Sequence, residues 1–243
     1  MIDLEIEASL AVVTIDRPEA RNAISRDTMD ELEKILDAVD SSGAHALAIT
    51  GAGDRAFISG GDLKELAAIR TFEGAVDMAQ RMRGLCDRIA NFPGPTIAAV
   101  NGHALGGGAE VAVATDIRLA AEDIQIGFTQ VMLAVMPGWG GSERLAAIVG
   151  RGRALMLAGG GRVIDATEAA RLGLVDQVFP RAQFDTGWRA VARSLAHRPA
   201  VEIKRIMSGA ATPQEVAETF GRLWVSDEHW AEVDKVLSRI KSK

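Results

Sequence analysis

Apolar residues change period along this chain, and each change marks an element. Leu10–Ile15 (LAVVTI) is an unbroken β-rich run that ends at Asp16-Arg17-Pro18. Met29, Leu32, Ile35, Leu36 and Val39 then recur at helical spacing, behind a candidate N-cap at Ser25 or Asp27. His45–Thr50 (HALAIT) is a second short apolar strand, closed by Gly51-Ala52-Gly53-Asp54. The spacing predicts a helix over about 72–90, stopped by Asn91-Phe92-Pro93-Gly94-Pro95. Thr96–Val100 (TIAAV) reads as a buried strand. After it come Asn101-Gly102, the run Gly106-Gly107-Gly108, a helix over about 109–115 and a strand at 117–121.

Strands alternating with helices predict an α/β fold with largely parallel pairing. From Ala166 onward the pattern turns helical, over about 182–196, 199–208 and 213–241, with one short strand at 174–179. No stretch has linker composition, and there is no short-period repeat or low-complexity tract. The expected organisation is one α/β core carrying the active site over residues 1–180, followed by a helical C-terminal region over 181–243.

Composition narrows the class. The chain has 243 residues, 48% hydrophobic and 25% charged, enough for one well-packed core. No apolar run approaches the roughly 20 residues a membrane helix needs. The start, Met1-Ile-Asp-Leu-Glu-Ile-Glu, lacks the basic character of a targeting segment, and the single cysteine, Cys86, fits a reducing compartment. A cytoplasmic protein is the expectation. The formal net charge of −6, with no clustered basic face, argues against nucleic acid as a partner.

Two glycine turns are the candidate chemistry. Phe57-Ile58-Ser59-Gly60-Gly61-Asp62-Leu63-Lys64-Glu65 reads as a strand end, a turn with exposed N–H groups and an Asp opening a helix. Asn101-Gly102-His103-Ala104-Leu105-Gly106-Gly107-Gly108-Ala109-Glu110 places three residues without Cβ where a helix begins, so backbone can approach a ligand closely. Either turn alone is equally a tight packing site. Neither a dinucleotide fingerprint nor a phosphate loop is present. Two backbone donors converging on one oxygen make an oxyanion hole. With no G-x-S-x-G elbow and only four histidines, at 45, 103, 197 and 229, that oxygen is better read as a thioester enolate than as an acyl-enzyme. No metal-binding pattern occurs.

These two turns, with Asp16-Arg17-Pro18-x-x-x-Asn22-Ala23, Pro137-Gly138-Trp139-Gly140-Gly141-Ser142-x-Arg144-Leu145 and Ala169-x-x-Leu172-Gly173-Leu174-Val175, resemble the crotonase (enoyl-CoA hydratase/isomerase) superfamily. The resemblance runs in order from about residue 5 to 180. It implies a spiral of ββα units, a helical C-terminal region used in trimerisation, an acyl-CoA thioester as partner and no cofactor beyond the coenzyme A of the substrate. It implies that Ser59 and Gly107 supply the oxyanion N–H groups. It also implies that Arg21, Ala23 and Ile24, the turn Ser59-Gly60-Gly61-Asp62-Leu63, Gly106 and Trp139 line the substrate site, in a homotrimer or a dimer of trimers.

The carboxylates choose the reaction. Glu110, in the first turn of its helix, matches one of two glutamates that share a water in hydratases of this family; the place of the second is taken by Gln130. An amide is neither acid nor base near neutral pH, though it still hydrogen-bonds. Hydration of a 2-enoyl-CoA with Glu110 as the sole acid/base is one reading. Decarboxylation of a methyl- or ethylmalonyl-type thioester is another, because Pro137–Gly141 and the ending Thr219-Phe220-Gly221-x-x-Trp224 resemble the ethylmalonyl-CoA decarboxylase branch. A catalytically silent acyl-CoA-binding subunit is a third. Cys86 reads as packed core, Lys204 and Arg205 as candidate contacts to CoA phosphates, and Glu122 and Glu143 as carboxylates near the site in sequence.

Overall fold

The computed structural model describes residues 1–209 and 211–241. Its strands are β1 (Ile2–Glu7), β2 (Leu10–Ile15), β3 (Ala46–Gly51), β4 (Ala56–Ile58), β5 (Thr96–Val100), β6 (His103–Leu105), β7 (Ile117–Ala121), β8 (Gln125–Gly127), β9 (Val163–Asp165) and β10 (Gln177–Phe179). They form a six-stranded sheet in the order β1-β2-β3-β5-β7-β10 and a four-stranded sheet in the order β4-β6-β8-β9. Pairing is parallel except in the β1–β2 hairpin and between β8 and β9.

The helices that matter to the site alternate with these strands. They are α1 (Arg26–Ser41), α2 (Leu63–Leu66), α3 (Phe72–Ala90), α4 (Gly107–Ala112) and α5 (Gly141–Val149), with α6 (Arg151–Ala154) and α7 (Ala166–Arg171) after them. From β3 to β8 each pass gives one strand to the large sheet and the next to the small sheet before a helix returns the chain; β9 then joins the small sheet and β10 the large one, with α7 between them. A spiral of ββα units is the result. β3 and β5 are buried along their whole length, so both faces of the large sheet are covered. α1 begins at Ser25, whose hydroxyl accepts from Thr28 N at 3.1 Å, and buries Met29, Leu32, Leu36 and Val39.

Sequence periodicity missed most of the small sheet, because β4, β6, β8 and β9 have three residues each and show no period. It also missed β1, which alternates Ile2, Leu4 and Ile6 with acidic residues as an edge strand.

After β10 the chain is helical: α8 (Phe184–Leu195), α9 (Arg198–Met207), α10 (Pro213–Trp224) and α11 (Asp227–Lys241). Phe184, Trp188 and Ala192 of α8 pack into the same core as the sheet strands. The single helix expected over 213–241 is two. Ser226 interrupts it, its hydroxyl accepting from His229 N at 3.2 Å to start α11. The last expected residues, 242–243, lie outside the described residues. No helix among the described residues is long and apolar enough to cross a membrane.

Two buried asparagines fix the loops around the glycine turns. Asn101 accepts from Gly51 N at 3.0 Å and donates to Gly53 O at 2.7 Å. Asn22, in left-handed backbone at φ 56°, donates to Ala52 O and Ala56 O at 3.0 and 2.7 Å and accepts from Arg17 N at 3.0 Å. Truncating a buried amide leaves its partners unsatisfied. Asn22→Ala is therefore expected to lower the unfolding free energy by about 1–3 kcal/mol in urea titrations. A change below about 0.5 kcal/mol would remove Asn22 from this role.

Candidate active site

β4 delivers the chain to Ser59-Gly60-Gly61, and β6 delivers it to Gly106 at the head of α4. The two turns touch. A methyl group on Gly108 would stand 1.7 Å from Ile58 O, and one on Gly60 would stand 3.3 Å from Gly107 N. Only bare backbone permits that approach. Gly60 (φ +108°) and Gly106 (φ +55°) also adopt conformations that side chains disfavour, and Gly106 N donates to Gly127 O at 2.8 Å.

The segment before α1 braces the first turn. Ile24 pairs with Gly61 as a parallel bridge: Ile24 N donates to Gly60 O and Asp62 N donates to Ile24 O, each at 2.8 Å. Asp62 caps α2 by accepting from Lys64 N at 3.2 Å, and pairs with Arg17 at 3.1 Å. Arg17 also donates to Ala23 O at 2.6 Å. Ala23 and Ile24 are therefore buried bracing, while Leu63 is exposed at the start of α2.

The expected donor in this turn is corrected. Ser59 N donates to Arg21 O at 3.2 Å, so that N–H is engaged within the protein. In a parallel bridge the paired residue turns its own N–H away from its partner, which leaves Gly61 N facing away from Ile24. Gly61 sits under the Trp139 indole, 3.8 Å from where its Cβ would be, and a Cβ on Gly107 would meet the same ring at 2.1 Å. Gly61 and Gly107 thus share one wall.

Glu110 lies in the first turn of α4 and is 1% exposed. Its Oε2 accepts from Trp139 N at 2.7 Å and Gly141 N at 2.9 Å; its Oε1 accepts from Gln130 Nε2 at 2.7 Å. Burial holds the carboxyl above the usual carboxylate range, and these hydrogen bonds partly oppose it. Gln130 stands in a 3-10 turn over Thr129–Leu133. An ionised Glu110 offers only acceptors, so the amide nitrogen faces it. Gln130 Oε1 is then buried with no hydrogen-bond partner among the described residues.

The donating loop is held by charge. Gly140 (φ +91°) turns it, Arg144 donates to Trp139 O at 2.9 Å, and the same guanidinium pairs with Asp87 on α3. Glu143 pairs with Arg83 at 2.5 Å and Glu122 accepts from Arg181 N at 3.0 Å, so neither serves as a second carboxylate for Glu110. Cys86 is buried, its thiol pushed up to about 12 by desolvation.

A cavity of about 520 Å³ opens beside the turns, lined among others by Arg21, Arg55, Ser59, His103, Leu105 and Arg181. Arg55 and Arg181 escaped the sequence reading; their only signal is that Arg55 immediately precedes β4. Lys204 lies elsewhere, bonded to Asp116 at 2.7 Å and to Ala90 O and Gly94 O, while Arg205 pairs with Glu202.

The turn contact predicts unequal tolerance. Gly108→Ala drives a methyl into backbone and is expected to lose at least about 1–3 kcal/mol of stability. Gly107→Ala meets side-chain atoms of the Trp139 indole in place of backbone and is expected to lose less. Thermal unfolding of the pair checks the order, and a fully stable Gly108→Ala would contradict it.

Comparisons with known proteins show the family. The family model for enoyl-CoA hydratase/isomerase matches residues 5–223. The chain is 37% identical over 207 residues to short-chain-enoyl-CoA hydratase of Clostridium acetobutylicum, covering 83% of this chain and 77% of that protein. It is 41% identical over 181 residues to crotonyl-CoA hydratase of Syntrophomonas wolfei, covering 73% and 68%. The crystal structure of enoyl-CoA hydratase from Bacillus anthracis superposes with a TM-score of 0.88 at 29% identity, over 98% of this chain and 96% of that one. With two glycine turns closed against each other over a buried glutamate, and relatives matched along most of its length, the chain belongs to the enoyl-CoA hydratase/isomerase family and is an acyl-CoA enzyme.

Proposed function

We propose that the protein hydrates a 2-enoyl-CoA, with Glu110 as the single acid/base and Gln130 as the second anchor of the water. The observation that carries this reading is the pairing of a buried Glu110 with a Gln130 whose Oε1 is buried with no hydrogen-bond partner among the described residues. A water donating one hydrogen to Glu110 Oε1 and the other to Gln130 Oε1 presents its lone pair to the substrate.

The thioester oxygen sits between the N–H groups of Gly61 and Gly107. As the water oxygen bonds to C3, Glu110 takes its proton, and the C2=C3 electrons move onto the thioester oxygen as an enolate. Each N–H that meets that charge contributes on the order of 3–4 kcal/mol to the transition state. The neutral Glu110 then returns the proton to C2, giving a 3-hydroxyacyl-CoA. Burial suits the carboxyl to both steps, since it keeps a proton more readily than a solvated acid.

Arg21 and Arg55 in the adjoining cavity support binding of CoA phosphates, while Arg181 there pairs with Asp123, and the chemistry needs no cofactor beyond the substrate's own coenzyme A. Exposed Phe220, Trp224 and Trp230 on the C-terminal helices, with Val225 in the turn between them, support a homotrimer or a dimer of trimers. The single buried Cys86 supports a cytoplasmic setting.

Crotonyl-CoA followed by loss of the enoyl absorbance is the direct test, and Glu110→Gln is expected to lower turnover by ~10²-fold or more while CoA-ester binding persists. Release of CO₂ from methylmalonyl- or ethylmalonyl-CoA without crotonyl-CoA turnover would replace hydration with decarboxylation. Binding without any turnover would leave an acyl-CoA-binding subunit.

A pH profile gives a second test. Glu110 must be ionised to accept a proton, so kcat/KM for hydration is expected to rise with pH through its raised pKa. The same shift means that the folded protein keeps this proton to higher pH than the unfolded chain. Its stabilising effect is full below the unfolded value and is lost as pH rises through the folded one. A hydration rate that stays flat on the acid side would separate Glu110 from the rate-limiting proton transfer.

A further inference from the structure

We infer that the Trp139 indole is the end wall of the acyl pocket and restricts the substrate to short acyl chains; this rests on the acyl-CoA reading above. Three observations converge on it. The cavity that holds Arg21 and Arg55 reaches the two turns from their leading residues, Ser59 and Leu105. The indole reaches them from the following side: its Cζ3, Cη2 and Cε3 lie 2.1–2.8 Å from the Cβ position of Gly107, and its Cζ2 lies 3.8 Å from that of Gly61. A thioester held by Gly61 and Gly107 N–H, with its CoA toward Arg55, must therefore extend its acyl carbons toward this ring.

The backbone that carries the ring is also held in place. Trp139 N donates to Glu110 at 2.7 Å, Arg144 donates to Trp139 O at 2.9 Å, and Asp87 on α3 holds Arg144. The residue that carries the wall is thus the residue whose backbone N–H orients the base. Trp139 is 6% exposed, so its ring is packed on its other side as well. Leu66 narrows the same end, its Cδ1 2.5 Å from the Cβ position of Gly61. C2 and C3 must still reach the water between Glu110 and Gln130. A short acyl chain meets both demands, and further methylenes run toward the indole.

The test separates binding from turnover. Calorimetry with the saturated thioesters butyryl-CoA and octanoyl-CoA reads length selectivity without any reaction, and crotonyl-CoA against 2-octenoyl-CoA reads it in kcat/KM. The wild type is expected to favour the short ester by about tenfold or more in both. Trp139→Ala is expected to bring the affinities for the two saturated esters within about threefold. Trp139→Phe should fall between them, and it carries the test if the alanine variant does not fold. Equal wild-type affinity for the two saturated esters, or a folded Trp139 variant with unchanged selectivity, overturns the inference. Length selectivity in binding without enoyl turnover keeps the wall and instead removes hydration.

Discussion

The backbone of α4 meets the carbonyl of Ile58 so closely that a methyl group at Gly108 would stand 1.7 Å from the oxygen. That contact joins the end of one strand to the start of the next helix and puts two glycine turns on one point in space. A single Cβ there would separate them. With the turns closed, Gly61 and Gly107 lie side by side under Trp139, and Glu110 is carried to the position where its carboxylate meets three N–H donors. The small sheet exists to hold this contact: β4 and β6, parallel neighbours, each deliver one of the turns.

Electrostatics explains the composition of the site. Burying Glu110 raises the energy of its charge, and the N–H groups of Trp139 and Gly141 return part of that stabilisation. A second carboxylate 2.7 Å away would add like-charge repulsion in the same enclosed space. Gln130 removes the repulsion and supplies a donor to Glu110, keeping one oxygen for a further partner. The cost is that only one group in the pair exchanges protons near neutral pH, which concentrates both proton transfers on Glu110.

The donors to Glu110 depend on a chain of restraints that begins far from it in sequence. Asp87 on α3 holds Arg144, Arg144 holds the carbonyl of Trp139, and Gly140 in left-handed backbone lets the next N–H turn inward. Charged residues that look like surface pairs, Arg83 with Glu143 among them, brace the same helices. This is how the structure places a buried base: through backbone donors fixed by a loop and the Gln130 amide, with no ionised partner among the described residues.

Much was legible in the residue order. The long apolar strands, the amphipathic α1 with its Ser25 cap, both glycine turns, Glu110 and Gln130 all follow from local chemistry: periodicity, capping oxygens and residues without Cβ act over a few positions. Distance defeated the rest. Strands of three residues carry no period, so β6, β8 and β9 could not be read, and Ser226 divides a helical pattern that looks continuous. Which N–H in the first turn is free was undecidable from order alone, because Arg21 O, which engages Ser59 N, approaches from 38 residues upstream (59 − 21 = 38). The sequence by itself determined which residues have the chemistry to hold and protonate an enolate. Only the tertiary structure decided which of their groups face the same space, because burial, hydrogen-bond engagement and the position of the Trp139 ring are set by contacts between segments that do not neighbour each other in the chain.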